Sequence, residues 1–108
     1  MRYGIYLPNQ GAFADVGVLV ELAHAAEAAG WDGFFIWDEL LPLYAHNEAV
    51  RATLGESHDA ADAMVALTAV AAATERIRFG SLVTAVARLR PEALLARRRR
   101  STNCQVVG

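Results

Sequence analysis

Lysine is absent from the 108-residue chain, and all ten basic side chains are arginine. That absence excludes the lysine-bearing phosphate loop G-x-x-x-x-G-K-[ST], and no G-x-G-x-x-G follows the first strand candidate. A single cysteine, Cys104, excludes an internal disulfide and with it a stapled secreted mini-domain. Three prolines and eight glycines exclude collagen-like and low-complexity classes. The N-terminal MRYGIYLPNQ lacks the long apolar run of a signal peptide. The longest apolar stretch, residues 60–73, is broken by Asp62 and Thr68 and falls short of the ~20 residues of a membrane span. His24, His46 and His58 are far apart, and none pairs with a cysteine or a second histidine at ligand spacing, so no metal is expected. The expectation is one soluble, cytoplasmic domain with no membrane partner.

What is present is apolar and unevenly charged. Hydrophobic residues make up 55% of the chain, enough to exclude disorder over most of its length. Abundant alanine and arginine in place of lysine fit a GC-rich coding sequence. Residues 1–87 carry four arginines against eleven carboxylates, whereas residues 88–108 carry six arginines against Glu92 alone. The last fifth of the chain therefore differs in character from the rest.

The pattern alternates strands and helices. Residues 2–7 are a short aromatic and aliphatic run stopped by the loop signature Pro8-Asn9-Gln10-Gly11. Asp15 is placed to cap a helix over 16–29, in which Leu19, Leu22, Ala23 and Ala26 share one face. Gly30 stands where a glycine ends a helix. Phe34 to Trp37 is apolar without alternation, the mark of a parallel strand buried on both faces. An alanine-rich helix over 60–74 must pack closely against a neighbour. Residues 76–84 make a third strand, and Pro91 opens a third helix. This order implies an α/β fold with right-handed parallel crossovers, in which Phe34–Trp37 is the central strand.

Asp38-Glu39 is the strongest chemical lead. Adjacent carboxylates emerge from the C-terminal end of a buried parallel strand, where α/β folds place their sites. Desolvation by the apolar approach suits one of them for acid–base work. The plainer alternative is that Asp38 caps a turn and Glu39 faces water. Pro8, Asn9 and His46 are candidates for a substrate pocket, while His24 reads as a solvated helix residue. Gly80 within the third strand suggests a bulge or a close approach. Arg97 to Arg100 lack interleaved aromatics, so they read as a solvated helix end and no nucleic-acid partner is expected.

The segments GIYLPNQG, ELAHAAEAAGWDGFFIWDEL, DAMVALTAVAAATERIRFGSLVT and RLRPEALLA, in that order, resemble the N-terminal part of the bacterial luciferase-like monooxygenase family. The resemblance spans about residues 3–96. It implies the first three βα units of a (β/α)8 barrel, with residues 1–96 a partial barrel domain and 97–108 a divergent arginine-rich tail. It implies a flavin- or deazaflavin-dependent oxidoreductase, with FMN or coenzyme F420 as cofactor and a small organic molecule as substrate. Oxygen insertion goes with reduced FMN and hydride transfer with F420, and the GC-rich composition favours F420. The cofactor ring would rest against Ser81, Leu82, Val83 and Thr84, with a non-proline cis peptide at Leu82–Val83. Asp38 and Glu39 take the catalytic places. Many members have histidine after the aspartate, and this chain has Glu39 there. After RPEALLA the chain departs from the family pattern and turns to RRRRSTNCQVVG, as a truncated or frameshifted product would. The alternative function is therefore a catalytically inactive fragment that self-associates through open sheet edges and an uncovered apolar face, and a homo-oligomer is expected.

Overall fold

The computed structural model describes residues 1–39, 48–49, 52 and 59–99. Its framework is a parallel sheet of three strands, β1 (Gly4–Leu7), β2 (Gly33–Ile36) and β3 (Arg78–Ser81), in the order β1-β2-β3. Register pairs Ile5 with Phe34 and Phe34 with Phe79, then Leu7 with Ile36 and Ile36 with Ser81. The apolar run at 34–37 does form the centre of the sheet. Trp37 lies just past β2 and still donates its N–H to the Leu7 carbonyl at 2.9 Å.

Helix α1 (Val16–Ala28) follows β1 through a 3-10 turn at Gly11–Ala14. Asp15 caps it by accepting the Gly17 N–H at 2.8 Å. The chain leaves α1 through Gly30, whose φ of 84° permits the reversal. Helix α2 spans Ala63–Ala73. It begins three residues later than the sequence pattern predicts because Ala60 and Ala61 are drawn to the end of β1. Ala60 bridges Gln10, and the Ala61 N–H donates to the Asn9 carbonyl at 2.8 Å. Asp62 then takes the cap, accepting from Met64 and Val65 at 2.9 and 3.0 Å. β3 is shorter than the predicted 76–84. The Ile77 N–H is held by a side chain before the strand starts, and the chain turns at Leu82 after it. Helix α3 (Pro91–Arg99) starts at Pro91 and runs past residue 96.

Both α1 and α2 pack on one face of the sheet. Two successive right-handed crossovers that advance in the same direction across a sheet place their helices on the same side. Leu19, Ala23 and Ala26 of α1 meet Ala63, Ala66, Leu67 and Val70 of α2 over Phe34, Ile36, Ile77 and Phe79. The small alanines allow the close approach that the composition required. Leu22 lies outside this seam and is exposed, so the expected face narrows to three residues. His24 is exposed as expected.

The expectation that β2 is buried on both faces is met on one. The other face carries Tyr6, Phe35 and Trp37, with Tyr6 53% exposed and the other two half-buried. The Phe35 ring lies flat over Gly4 and Gly33, where a Cβ on Gly33 would come within 2.6 Å of it. Among the described residues no helix is long and apolar enough to cross a membrane.

Candidate functional site

The C-terminal ends of the three strands bring together Pro8-Asn9-Gln10, Trp37-Asp38-Glu39 and Leu82-Val83-Thr84. Here the loops no longer pair as strands, so side chains take over the satisfaction of backbone groups. Asn9 is fully buried and ties three segments together. Its Nδ2 donates to the Glu39 carbonyl at 2.9 Å and to the Ala61 carbonyl at 2.8 Å, and its Oδ1 accepts the Glu39 N–H at 3.4 Å. Gln10 reaches the same Glu39 carbonyl at 3.5 Å. The Asn9 side chain, expected in a substrate pocket, thus fixes the backbone of Glu39. Pro8 stands beside it, half-buried. His46 and His58 lie outside the described residues.

The two adjacent carboxylates have different surroundings. Asp38 Oδ1 accepts from Arg88 Nη2 at 2.7 Å, and Oδ2 accepts the Ala85 N–H at 3.1 Å. The same Arg88 nitrogen also donates to the Asp38 carbonyl at 2.7 Å. Asp38 therefore anchors the segment after β3 against the end of β2. Glu39 has its backbone fixed by Asn9, but its Oε2 is buried with no hydrogen-bond partner. Orphaned buried carboxylate oxygens are rare because desolvation without a partner is costly.

Beside them the segment after β3 presents an apolar surface. The Leu82 N–H donates to the Ile36 carbonyl at 2.9 Å, and Tyr6 Oη donates to the Leu82 carbonyl at 2.5 Å. The Leu82–Val83 peptide is cis. Val83 is 74% exposed, and the rings of Tyr6 and Trp37 lie 6.1 Å apart. Ser81 Oγ and Thr84 Oγ1 are hydrogen-bonded to each other at 2.6 Å.

The model of the luciferase-like monooxygenase family matches residues 1–97. The chain belongs to the luciferase-like monooxygenase family. No curated protein and no solved structure matches it. The family's kind of chemistry is oxidoreduction of the monooxygenase type, and its members are generally flavin- or F420-dependent. In this luciferase-like chain the structure brings Asp38, Glu39, Asn9 and the 81–84 segment to one end of the sheet. Sequence reasoning overlooked Tyr6 and Trp37, although both occupy alternate positions to the partly buried Ile5 and Leu7 and the buried Ile36, a signal for the opposite face. It also missed the tie between Arg88 and Asp38.

The described residues fit one part of such a cofactor. Tyr6, Trp37 and Val83 offer an apolar surface for a ring, its two aromatic rings tilted 53° to each other, at the same end of the sheet as Glu39. They are poorly suited to a phosphate: Asp38 neutralises Arg88 through its Nη2, and the hydrogen bond between Ser81 and Thr84 leaves one hydroxyl hydrogen to donate. Among the described residues no group of histidine, cysteine and carboxylate side chains could hold a metal ion.

Proposed function

We propose that the C-terminal rim of the sheet is the ring-binding part of a flavin- or F420-type oxidoreductase site acting on a small organic substrate. The observation that carries this reading is the buried Oε2 of Glu39, without a hydrogen-bond partner among the described residues, at the same end of the sheet as the exposed Val83, in a chain that belongs to a monooxygenase family. A bound flavin supplies hydride transfer or oxygen activation, and a deazaflavin supplies hydride transfer. Tyr6, Trp37 and Val83 shield one side of the ring from water. Glu39 holds or moves a proton at Oε2, with Asn9 fixing its backbone. Asp38 acts as a positioning residue, since its carboxylate holds the 82–88 segment through Arg88 and Ala85. Pro8 is proposed for the substrate side of the same rim.

The 108-residue chain is expected to bind FMN or F420 no better than roughly millimolar, near −4 kcal/mol, because a ring surface without phosphate donors gives limited affinity. Fluorescence titration of either cofactor checks this, and Val83→Asp should abolish the saturable signal. Micromolar binding by a monomer would show that the rim also holds the phosphate.

A second reading is favoured by the exposure of Tyr6 on the sheet face that α1 and α2 leave uncovered. In it the chain is inactive and a second copy covers that face, as apolar surface of this kind favours. Sedimentation separates the two: a colourless oligomer supports the second reading, and cofactor bound by the monomer supports the first. A cytoplasmic location is proposed with either.

A further inference from the structure

At the other end of the sheet, below the starts of β1 and β3, a cavity of about 320 Å3 opens to solvent. Arg2, Arg76 and Arg78 line it together with Trp31. Two carboxylates share the lining, yet both are turned to backbone. Glu27 accepts the N–H groups of Glu75, Arg76 and Ile77, the shortest at 2.6 Å, and Asp32 Oδ2 accepts the Tyr3 N–H at 2.9 Å. The arginines, by contrast, make no ion pair or side-chain hydrogen bond among the described residues. The Arg76 side chain acts on Glu27 through its charge, beside the hydrogen bond from its backbone N–H.

Three arginines without an ion-pair partner among the described residues, all lining one cavity, suit an oxyanion, since the guanidinium fork matches phosphate and carboxylate oxygens in bidentate fashion. With Glu27 and Asp32 in the same lining the three arginines still leave a net positive charge, which favours an anion, and a phosphate monoester carries about −1.5 to −2 at neutral pH. The volume lies at the lower end of the roughly 300–1,000 Å3 of ligand pockets and exceeds what a bare phosphate fills. Trp31, 40% exposed and steadied edge-on by Tyr3 with ring centroids 6.3 Å apart, supplies an apolar wall for an organic group. We infer that this cavity binds a small phosphate monoester, with the phosphate on Arg2, Arg76 and Arg78 and its organic group against Trp31. The site is independent of the rim at the opposite end of the sheet.

The test uses the full chain, phenyl phosphate and inorganic phosphate as probes at fixed ionic strength, and NMR of the indole N–H groups. Phenyl phosphate should shift the Trp31 signal saturably, leave Trp37 in place and bind at least about threefold tighter than inorganic phosphate. Arg78→Gln and Arg2→Gln should each weaken it about tenfold, the loss of one charge-assisted contact. Arg2 precedes β1, so its variant keeps the test available if Arg78→Gln does not fold. No saturable shift at Trp31, equal affinity for the two probes, or wild-type affinity in the arginine variants that fold would overturn the assignment.

Discussion

On one face of the sheet Phe34, Ile36 and Phe79 are sealed under α1 and α2, while on the other Tyr6 is exposed and Phe35 and Trp37 are only partly buried. The residues differ little in apolar character. What separates them is topology: two right-handed crossovers in one direction supply helices to one side only. The covered face therefore carries stability, and the uncovered face leaves large side chains available at the rim where Glu39 and Val83 lie. The lesson is that an aromatic residue's contribution here depends on which way its strand position points.

The sharpest way to break this comparison is a pair of truncations. Phe34→Ala should cost about 3–5 kcal/mol, the range for deleting a buried phenyl ring. Tyr6→Ala, on the open face, should cost about 1 kcal/mol, chiefly its bond to the Leu82 carbonyl. Urea denaturation of both variants checks the contrast, and equal losses would show that the open face is packed after all. A smaller effect is expected at the rim. Asp38→Ala removes the Arg88 and Ala85 contacts and should cost about 1 kcal/mol, since Arg88 is partly exposed. Its second expected consequence is a loosened 82–88 segment, read as faster amide exchange at Ala85.

The smallest effect concerns the loop into β3. The N–H of Ile77 foremost, then that of Arg76, holds the Glu27 carboxyl below its ordinary value of 4.5; desolvation opposes this, and the Glu75 N–H and the Arg76 charge add to the lowering. A carboxylate lowered in the folded state adds stability that is present above its unfolded value and is lost as pH falls through the folded value. Melting curves of wild type and Glu27→Gln should therefore differ at pH 7 and converge as pH drops below about 4. A gap that stays constant with pH would show that the carboxylate is not the clamp.

Much of the framework was legible in local sequence. The unbroken apolar run at 34–37 marked the central strand, and Asp15 and Gly30 marked the two ends of α1, because caps and strand burial are written in neighbouring residues. The features that escaped depend on distant partners. Glu27 reads as one more charge on a solvated helix face, yet it meets the 75–77 backbone about fifty residues on. Asp38 and Arg88 are likewise fifty residues apart. The start of α2 moved because Asn9 and Gln10 claim Ala60 and Ala61, a contact that helix propensity alone does not encode. At the site, the Asp38-Glu39 pair was visible as a pair, but its division into an anchored and an unpartnered carboxylate required the fold.

The claim that the rim seats a cofactor ring and not its phosphate is tested most directly by titrating riboflavin and FMN in parallel against the monomeric chain and following the indole N–H of Trp37, which reads the rim and not the arginine-lined cavity at the other end of the sheet. The two share a ring and differ by the phosphate. The account predicts saturable, weak binding of both, with affinities within about twofold of each other. No saturable binding of either, or FMN binding tenfold or more tightly than riboflavin, would contradict it.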